Sequence, residues 1–230
     1  SGAGLDKESG IPTFRDTNDG LWFDYKIEDV ATPEGWKKDP KKVLQFYNER
    51  RSQLPTVEPN DAHRALVALE EEYDVTIITQ NVDDLHERAG SKNIIHLHGE
   101  LTKARGARYG HKTTDFDRIY DIGYNEINIG DKCEDNDTQL RPHIVWFGEN
   151  LNPKFIERAE EAARECDICI IVGTSMQVAP ANQIPFITKE NCITFYVDPS
   201  DGDFYVPEFR KEFFHHIKEP ATVGMKKIVD

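Results

Sequence analysis

The sequence predicts an α/β fold, a doubly wound, Rossmann-like parallel sheet carrying a smaller inserted module. Three observations predict it. Short β-branched runs recur at residues 75–79, 94–98, 167–173 and 193–197, as expected of strands covered on both faces. Helix-spaced apolar residues lie between them, giving the strand–helix–strand rhythm of such sheets. Several runs also end in glycine or polar clusters, and the carboxyl ends of parallel strands are where ligands bind.

The elements follow in order. Gly2, Ala3 and Gly4 open the chain, and small residues there would let backbone N–H groups approach a phosphate. The dinucleotide fingerprint needs a third glycine three positions on, where this chain has Lys7. A bare glycine turn therefore stays open as a reading. Residues 18–59 hold one helix, 40–54, between Trp- and Pro-containing loops. Pro59-Asn60-Asp61 then signals a helix start, followed by Ala62, Ala65, Leu66, Leu69 and Tyr73 at helical spacing.

The strand at 75–79 runs into Gln80, Asn81 and Asp83, an amide–carboxylate set that can hold a carboxamide group or cap a helix. The run at 94–98 ends in His96 and His98, which share a face if the strand is regular. That spacing admits a metal pair, structural histidines or a base. Residues 101–141 are polar and poor in periodicity. With 18–59 they form the expected small helical or irregular module, leaving 1–17, 60–100 and 142–230 for the sheet domain. Asn152-Pro153 starts a helix through Phe155, Ile156, Ala159, Ala162 and Ala163. The strand after it ends at Gly173, Thr174 and Ser175.

The 230 residues suffice for one sizeable core. A net charge of -14 disfavours nucleic-acid and anionic-membrane partners, and no apolar stretch approaches a membrane span. The four cysteines, Cys133, Cys166, Cys169 and Cys192, suggest no disulfide framework, so a reducing cytoplasm is the expected setting.

Five spaced motifs carry a family resemblance: residues 2–15, Gln80-Asn81-Val82-Asp83 with Leu85-His86, His96-Leu97-His98-Gly99, Val145-Trp146-Phe147-Gly148-Glu149, and Gly173-Thr174-Ser175. In that order they resemble the sirtuins along essentially the whole chain. The resemblance implies NAD, consumed as co-substrate, and acyl-lysine proteins or peptides as partners, with release of nicotinamide and O-acyl-ADP-ribose. It implies that Gly2, Ala3 and Gly4 approach the phosphates, and that Phe14 and Arg15 cover the nicotinamide end. Gln80, Asn81 and Asp83 would serve the cofactor, Asn81 also in catalysis, and His98 would be the general base. Gly173, Thr174 and Ser175 would hold the adenine-side ribose and phosphate, with Val197, Asp198 and Ala221 at the adenosine. Val145, Phe147, Gly148 and Glu149 would present a backbone edge to an extended peptide.

Tyr47 and Arg50, three apart on the 40–54 helix, resemble the Tyr-x-x-Arg pair of the branch that removes acidic acyl chains such as succinyl and malonyl, besides acetyl. By helix pattern alone they are ordinary amphipathic residues. Three departures stand out. The strand that sirtuins carry before the glycine loop is not among these 230 residues, either because residues precede Ser1 or because the sheet lacks it, and Tyr196 replaces a usual asparagine. Many sirtuins hold zinc with two cysteine pairs, yet residues 101–141 contain only Cys133, so no zinc is expected. Cys166 and Cys169 read as packing residues. Two rivals remain at this point: an ADP-ribosyltransferase or NAD hydrolase, and a non-catalytic NAD-binding module.

Overall fold

The computed structural model describes residues 1–13, 25–107, 118–202 and 204–230. Its helices and strands run α1 (Ile27–Val30), α2 (Pro33–Lys38), α3 (Pro40–Gln53), α4 (Asp61–Leu69), β1 (Ile77–Thr79), α5 (Leu85–Ala89), β2 (Ile94–His96), β3 (Gly99–Gly106), β4 (Ile119–Asp121), β5 (Leu140–Ile144), α6 (Pro153–Glu165), β6 (Ile168–Val172), β7 (Ile193–Val197), β8 (Phe214–Ile217) and α7 (Ala221–Val229). No helix among the described residues is long and apolar enough to cross a membrane.

Two parallel ladders make the main sheet: β1 with β2, and β6 with β7 and β8. Ser1 and Gly2 join them. The Ser1 nitrogen donates to the Ile78 carbonyl, the Gln80 N–H donates back to Ser1, and the Gly2 N–H donates to Val172. Ser1 and Gly2 thus bridge β1 and β6. Helices cover both faces. On one, α4 and α7 pack Leu66, Ala221 and Met225 against Ile77, Val172 and Val197. On the other, Ala159 and Ala163 of α6 meet Ile95, Leu97 and Ile184. Burial on both sides is why the strands read as unbroken apolar runs. The expected doubly wound α/β class is observed.

The α4 start is built as its sequence suggests. Asn60 accepts from the Ala62 and His63 N–H groups, and the His63 ring returns the bond to the Asn60 N–H. The Asn60 amide nitrogen also donates to the Leu5 carbonyl, so the same cap ties down the glycine loop. The helix ends at Leu69, short of the expected Tyr73, which lies exposed.

The second core differs from expectation. Residues 101–141 are not simply irregular: β3 is the centre of an antiparallel sheet, ordered β4–β3–β5. Antiparallel strands half open to solvent give a weaker apolar pattern than parallel ones, which hides them in a polar sequence. This sheet packs on α1–α3 through Val30, Trp36, Phe46, Tyr47, Leu101, Ile144 and Trp146. Strands β3 and β5 run through the boundaries expected at 100/101 and 141/142.

Candidate active site

A cavity of about 870 Å³ lies between the two cores, at the carboxyl ends of β1 and β6. Its walls bring together Gly2, Ala3 and Gly4; Gln80, Asn81 and Asp83; His98; Gly173, Thr174, Ser175 and Asp198; Tyr47 and Arg50; and Val145, Phe147, Gly148 and Glu149. Phe14 and Arg15 lie outside the described residues.

The close approach of two loops requires the glycines to be small. A Cβ on Gly2 would stand 2.7 Å from the Thr174 Cβ, and one on Gly4 would stand 2.8 Å from the Gly173 carbonyl oxygen. The Gly4 N–H donates to that oxygen at 2.7 Å, and the Gly2 N–H is spent on Val172. Gly173 itself has φ +62°, a conformation glycine adopts without strain. Two loops therefore interlock on glycine, and the N–H groups of Gly2 and Gly4 are engaged in that junction. The result is a floor that any added side chain would fill.

Beyond β1, the Asn81 amide nitrogen donates to the Gly2 carbonyl at 3.0 Å, so its carbonyl oxygen is the end left facing away. The Gln80 side chain donates to the Thr174 hydroxyl. The Asp83 carboxylate accepts from the Leu85 N–H, a turn-capping bond as well as a cavity wall.

The two histidines part company. Strand β2 stops at His96, Leu97 and His98 form a turn, and Gly99 follows at φ +84°. They do not share a strand face, contrary to the regular-strand expectation. His96 is 7% exposed and donates from Nδ1 to the Asn81 carbonyl and from Nε2 to Glu87, 2.7 Å away. Burial works against its charge, but the Glu87 hydrogen bond and charge win, and its pKa is raised. The His98 Nδ1 lies 3.1 Å from the Gln80 carbonyl oxygen, which can only accept. Nδ1 therefore carries the proton and Nε2 keeps its lone pair. Burial lowers the His98 pKa, so the ring is neutral at cellular pH.

The facing wall is held by charge. Arg141 grips Glu149 in two bonds of 2.6 and 3.0 Å and stacks its guanidinium 3.2 Å from the Trp146 ring centroid. Glu149 also pairs with Arg105 and accepts from the Trp146 N–H. Burial opposes its ionisation, yet Arg141 holds its pKa low. The Glu149 carboxylate thus anchors the 146–148 turn and is not spare for a substrate. Neighbouring N–H groups also point inward, Val145 to the His98 carbonyl and Phe147 to Ala31. Trp146 donates from its indole to the Tyr47 hydroxyl at 3.0 Å. Arg50 lines the same cavity. Its pKa is lowered by burial, while Tyr47, Asp83 and Asp6 around it support its charge.

Two expected cofactor residues do not reach the cavity. Val197 is wholly buried and Ala221 nearly so, both packed in the sheet core, and Gly224 is small because a Cβ would strike Val197. Tyr196 is buried among Phe204, Phe214 and His216 and donates to the Thr174 carbonyl. It braces the Gly173–Ser175 turn from behind. Asp6 was not singled out from the sequence. It lies 2% exposed in the cavity wall, bonded to His63. Its signal was an acid inside a glycine loop, where small neutral residues suffice.

All four cysteines are free. Cys133 is buried against the Tyr120 hydroxyl, and the Cys166 sulfur lies 3.7 Å from that of Cys192 and also interacts with the Cys169 thiol. Among the described residues, one group gathers ligand atoms within 4.8 Å, Glu87, His96 and Glu100. Its acids are already engaged, Glu87 by His96 and Glu100 by Lys103.

Comparison with known proteins accords with this geometry. Residues 2–180 match the model of the Sir2 family. A Helicobacter pylori NAD-dependent protein deacylase is 48% identical over 208 residues, covering 90% of this chain and 86% of that protein. An Aquifex aeolicus NAD-dependent protein deacylase is 41% identical over 232 residues, covering 100% and 92%. Among solved structures, a Sir2 homologue in complex with NAD superposes with TM-score 0.84 at 37% identity, covering 99% of this chain and 85% of that one. The chain belongs to the Sir2 family.

Proposed function

We propose that this protein is an NAD-dependent protein-lysine deacylase acting on acyl-lysine peptides, with a preference for acidic acyl chains. The observation that carries the proposal is the convergence on one cavity of a neutral histidine with a free Nε2, a glycine floor, and the Tyr47–Arg50 wall. The activity and co-substrate of the Helicobacter and Aquifex relatives point the same way.

The residues suit NAD. The cavity volume matches a dinucleotide-sized ligand, and the interlocked glycines leave a floor without side chains. Gln80, Asn81 and Asp83 stand where a carboxamide can be gripped, and Thr174, Ser175 and Asp198 line the other end. NAD, when bound, supplies the ribose carbon that accepts the acyl oxygen as nicotinamide leaves. The protein's own task is then positional and acid–base. The His98 Nε2 takes a proton from a ribose hydroxyl, and the Gln80 carbonyl fixes the ring for it. The Asn81 carbonyl oxygen, oriented by the Gly2 bond, orders the reacting hydroxyls or water.

An extended peptide laid along 145–148 would meet carbonyl oxygens, since several N–H groups there turn inward. The acyl chain would pass Tyr47, whose hydroxyl still has a proton to donate after accepting from Trp146. At its end a carboxylate would meet the Arg50 guanidinium, a charge-assisted pairing that an acetyl group cannot make. The domain division implied is a sheet half that holds NAD and a module that supplies the acyl wall.

The test is direct. Acyl-lysine peptides are incubated with and without NAD and their masses read. Free lysine formed only with NAD supports the proposal. A peptide gaining ADP-ribose, or NAD cleavage with the acyl group retained, would assign a transferase or hydrolase instead. No NAD consumption would leave a binding module.

A further inference from the structure

Three of the four free cysteines gather at the amino ends of β6 and β7, the end of the sheet opposite the cavity. Cys166 closes the carboxyl end of α6, Cys169 stands on β6, and Cys192 immediately precedes β7. The two parallel strands start in register at Ile168 and Ile193, and the Ile193 N–H donates to the Asp167 carbonyl. Cys166 and Cys192 therefore flank the point where the strands first lie side by side. Neighbouring strands run about 4.8 Å apart, inside the roughly 4.4–6.8 Å between Cα atoms that a disulfide spans. The two sulfurs already lie 3.7 Å apart, so a bond between them asks for side-chain rotation and not for strand movement.

Exposure divides the roles. Cys166 is half-buried, within reach of a small oxidant, while Cys192 is 3% exposed. As a thiol, Cys166 donates to the Ala163 carbonyl at 3.2 Å. Deprotonation ends that bond and leaves the sulfur to the Cys169 and Cys192 thiols and the Lys189 charge, which lower its pKa. Burial raises that of Cys192. The outer sulfur is thus the nucleophile of the pair.

We propose that Cys166 and Cys192 form a redox modification site, with Cys166 attacking a small hydroperoxide and Cys192 resolving the product into a reversible disulfide. With hydrogen peroxide, the Cys166 thiolate attacks one oxygen, the O–O bond breaks, and the departing hydroxide takes a proton to leave as water. Cys166 becomes a sulfenic acid. The Cys192 sulfur then attacks the Cys166 sulfur, and its proton leaves with the displaced hydroxyl as a second water. The two thiols lose two electrons, which the peroxide gains. The bond closes a loop that contains β6 and the Gly173–Ser175 turn on the cavity. Loop closure restricts the unfolded chain most, so the oxidised form is the more stable one. The site is independent of what the cavity binds.

The experiment treats the full chain with hydrogen peroxide, alkylates the remaining thiols, and maps tryptic peptides without reductant by mass spectrometry. Trypsin separates residues 165–189, with Cys166 and Cys169, from 190–210, with Cys192. Wild type should yield the two peptides joined, and the join should persist in Cys169→Ser and vanish in Cys166→Ser. Cys192→Ser should leave Cys166 as a sulfenic acid that dimedone captures. Oxidised wild type should melt about 5 °C or more above the reduced protein, and dithiothreitol should reverse the shift. A join that survives Cys166→Ser, a Cys166–Cys169 bond in its place, or no join at peroxide levels that oxidise the methionines would overturn the proposal. The wild-type map needs no variant, so a poorly folding substitution does not blunt the test.

Discussion

The two halves of the molecule position chemistry by different means. In the parallel-sheet half, backbone geometry does it: strands β1 and β6 end, and Gln80, Asn81, Asp83 and Gly173–Ser175 follow at once on the cavity. In the module half, side chains do it. Arg141, Glu149, Trp146 and Tyr47 form one chain of ion pair, stacking and hydrogen bond that sets the 145–148 turn. Arg51, wholly buried, bonds the Leu101 carbonyl and so fastens α3, which carries Tyr47 and Arg50, to β3. A strand end tolerates sequence change so long as the strand persists, whereas a side-chain chain fails at a single link.

That contrast can be broken most sharply at Glu149. Replacing it with Ala leaves Arg141 and Arg105 buried without their carboxylate, a loss expected to cost about 3–5 kcal/mol of stability. Melting temperature should fall steeply and the peptide KM rise. A variant as stable as wild type would show that the module does not hang on this pair.

The sheet half is probed at His98. His98→Ala should lower deacylation by on the order of a hundredfold or more, with melting temperature and NAD affinity nearly unchanged. Steady-state rates beside calorimetry check it, and retained turnover would mean that His98 is not the base.

The neighbouring His96 should behave in the opposite way. Its raised pKa contributes stability that is full below the unfolded value near 6.5 and is lost as pH rises through the folded value. His96→Ala should cost about 1 kcal/mol, modest because Glu87 is partly exposed, and the gap from wild type should narrow above neutral pH. A thermal-melt series against pH measures it. The smallest expected effect is that of a chelator. With Cys133 the sole cysteine of residues 101–141, removing divalent metal should leave the melting temperature unshifted, whereas a structural zinc site would contribute folding free energy outright. One zinc per chain by elemental analysis would refute it.

What was legible in the sequence follows the same division. The parallel strands were readable because burial on both faces writes unbroken β-branched runs, and the α4 cap because Asn60 sits where a helix must begin. The antiparallel β3–β5 sheet was not, since its strands bury one face and its polar residues look like loop. Tyr47 and Arg50 show at helical spacing, but the Trp146 indole that holds the Tyr47 hydroxyl, itself stacked on Arg141, lies about a hundred residues away and leaves no local trace. Asp6 is not recognisable in the sequence as a wall residue because its partner, His63, is brought to it only by the fold. Val197 and Ala221 were placed at the cofactor by resemblance, while their apolar character already pointed to the core where they lie.

The most direct test of the account is the ratio of kcat/KM for succinyl-lysine and acetyl-lysine peptides of one sequence, measured with NAD on wild type and on Arg50→Met. The account predicts that wild type favours the succinyl peptide by about tenfold or more, the scale of a charge-assisted hydrogen bond. Arg50→Met should erase that preference and spare the acetyl rate. An acetyl preference in wild type, or equal losses on both peptides in Arg50→Met, would contradict it and return Tyr47 and Arg50 to ordinary helix residues.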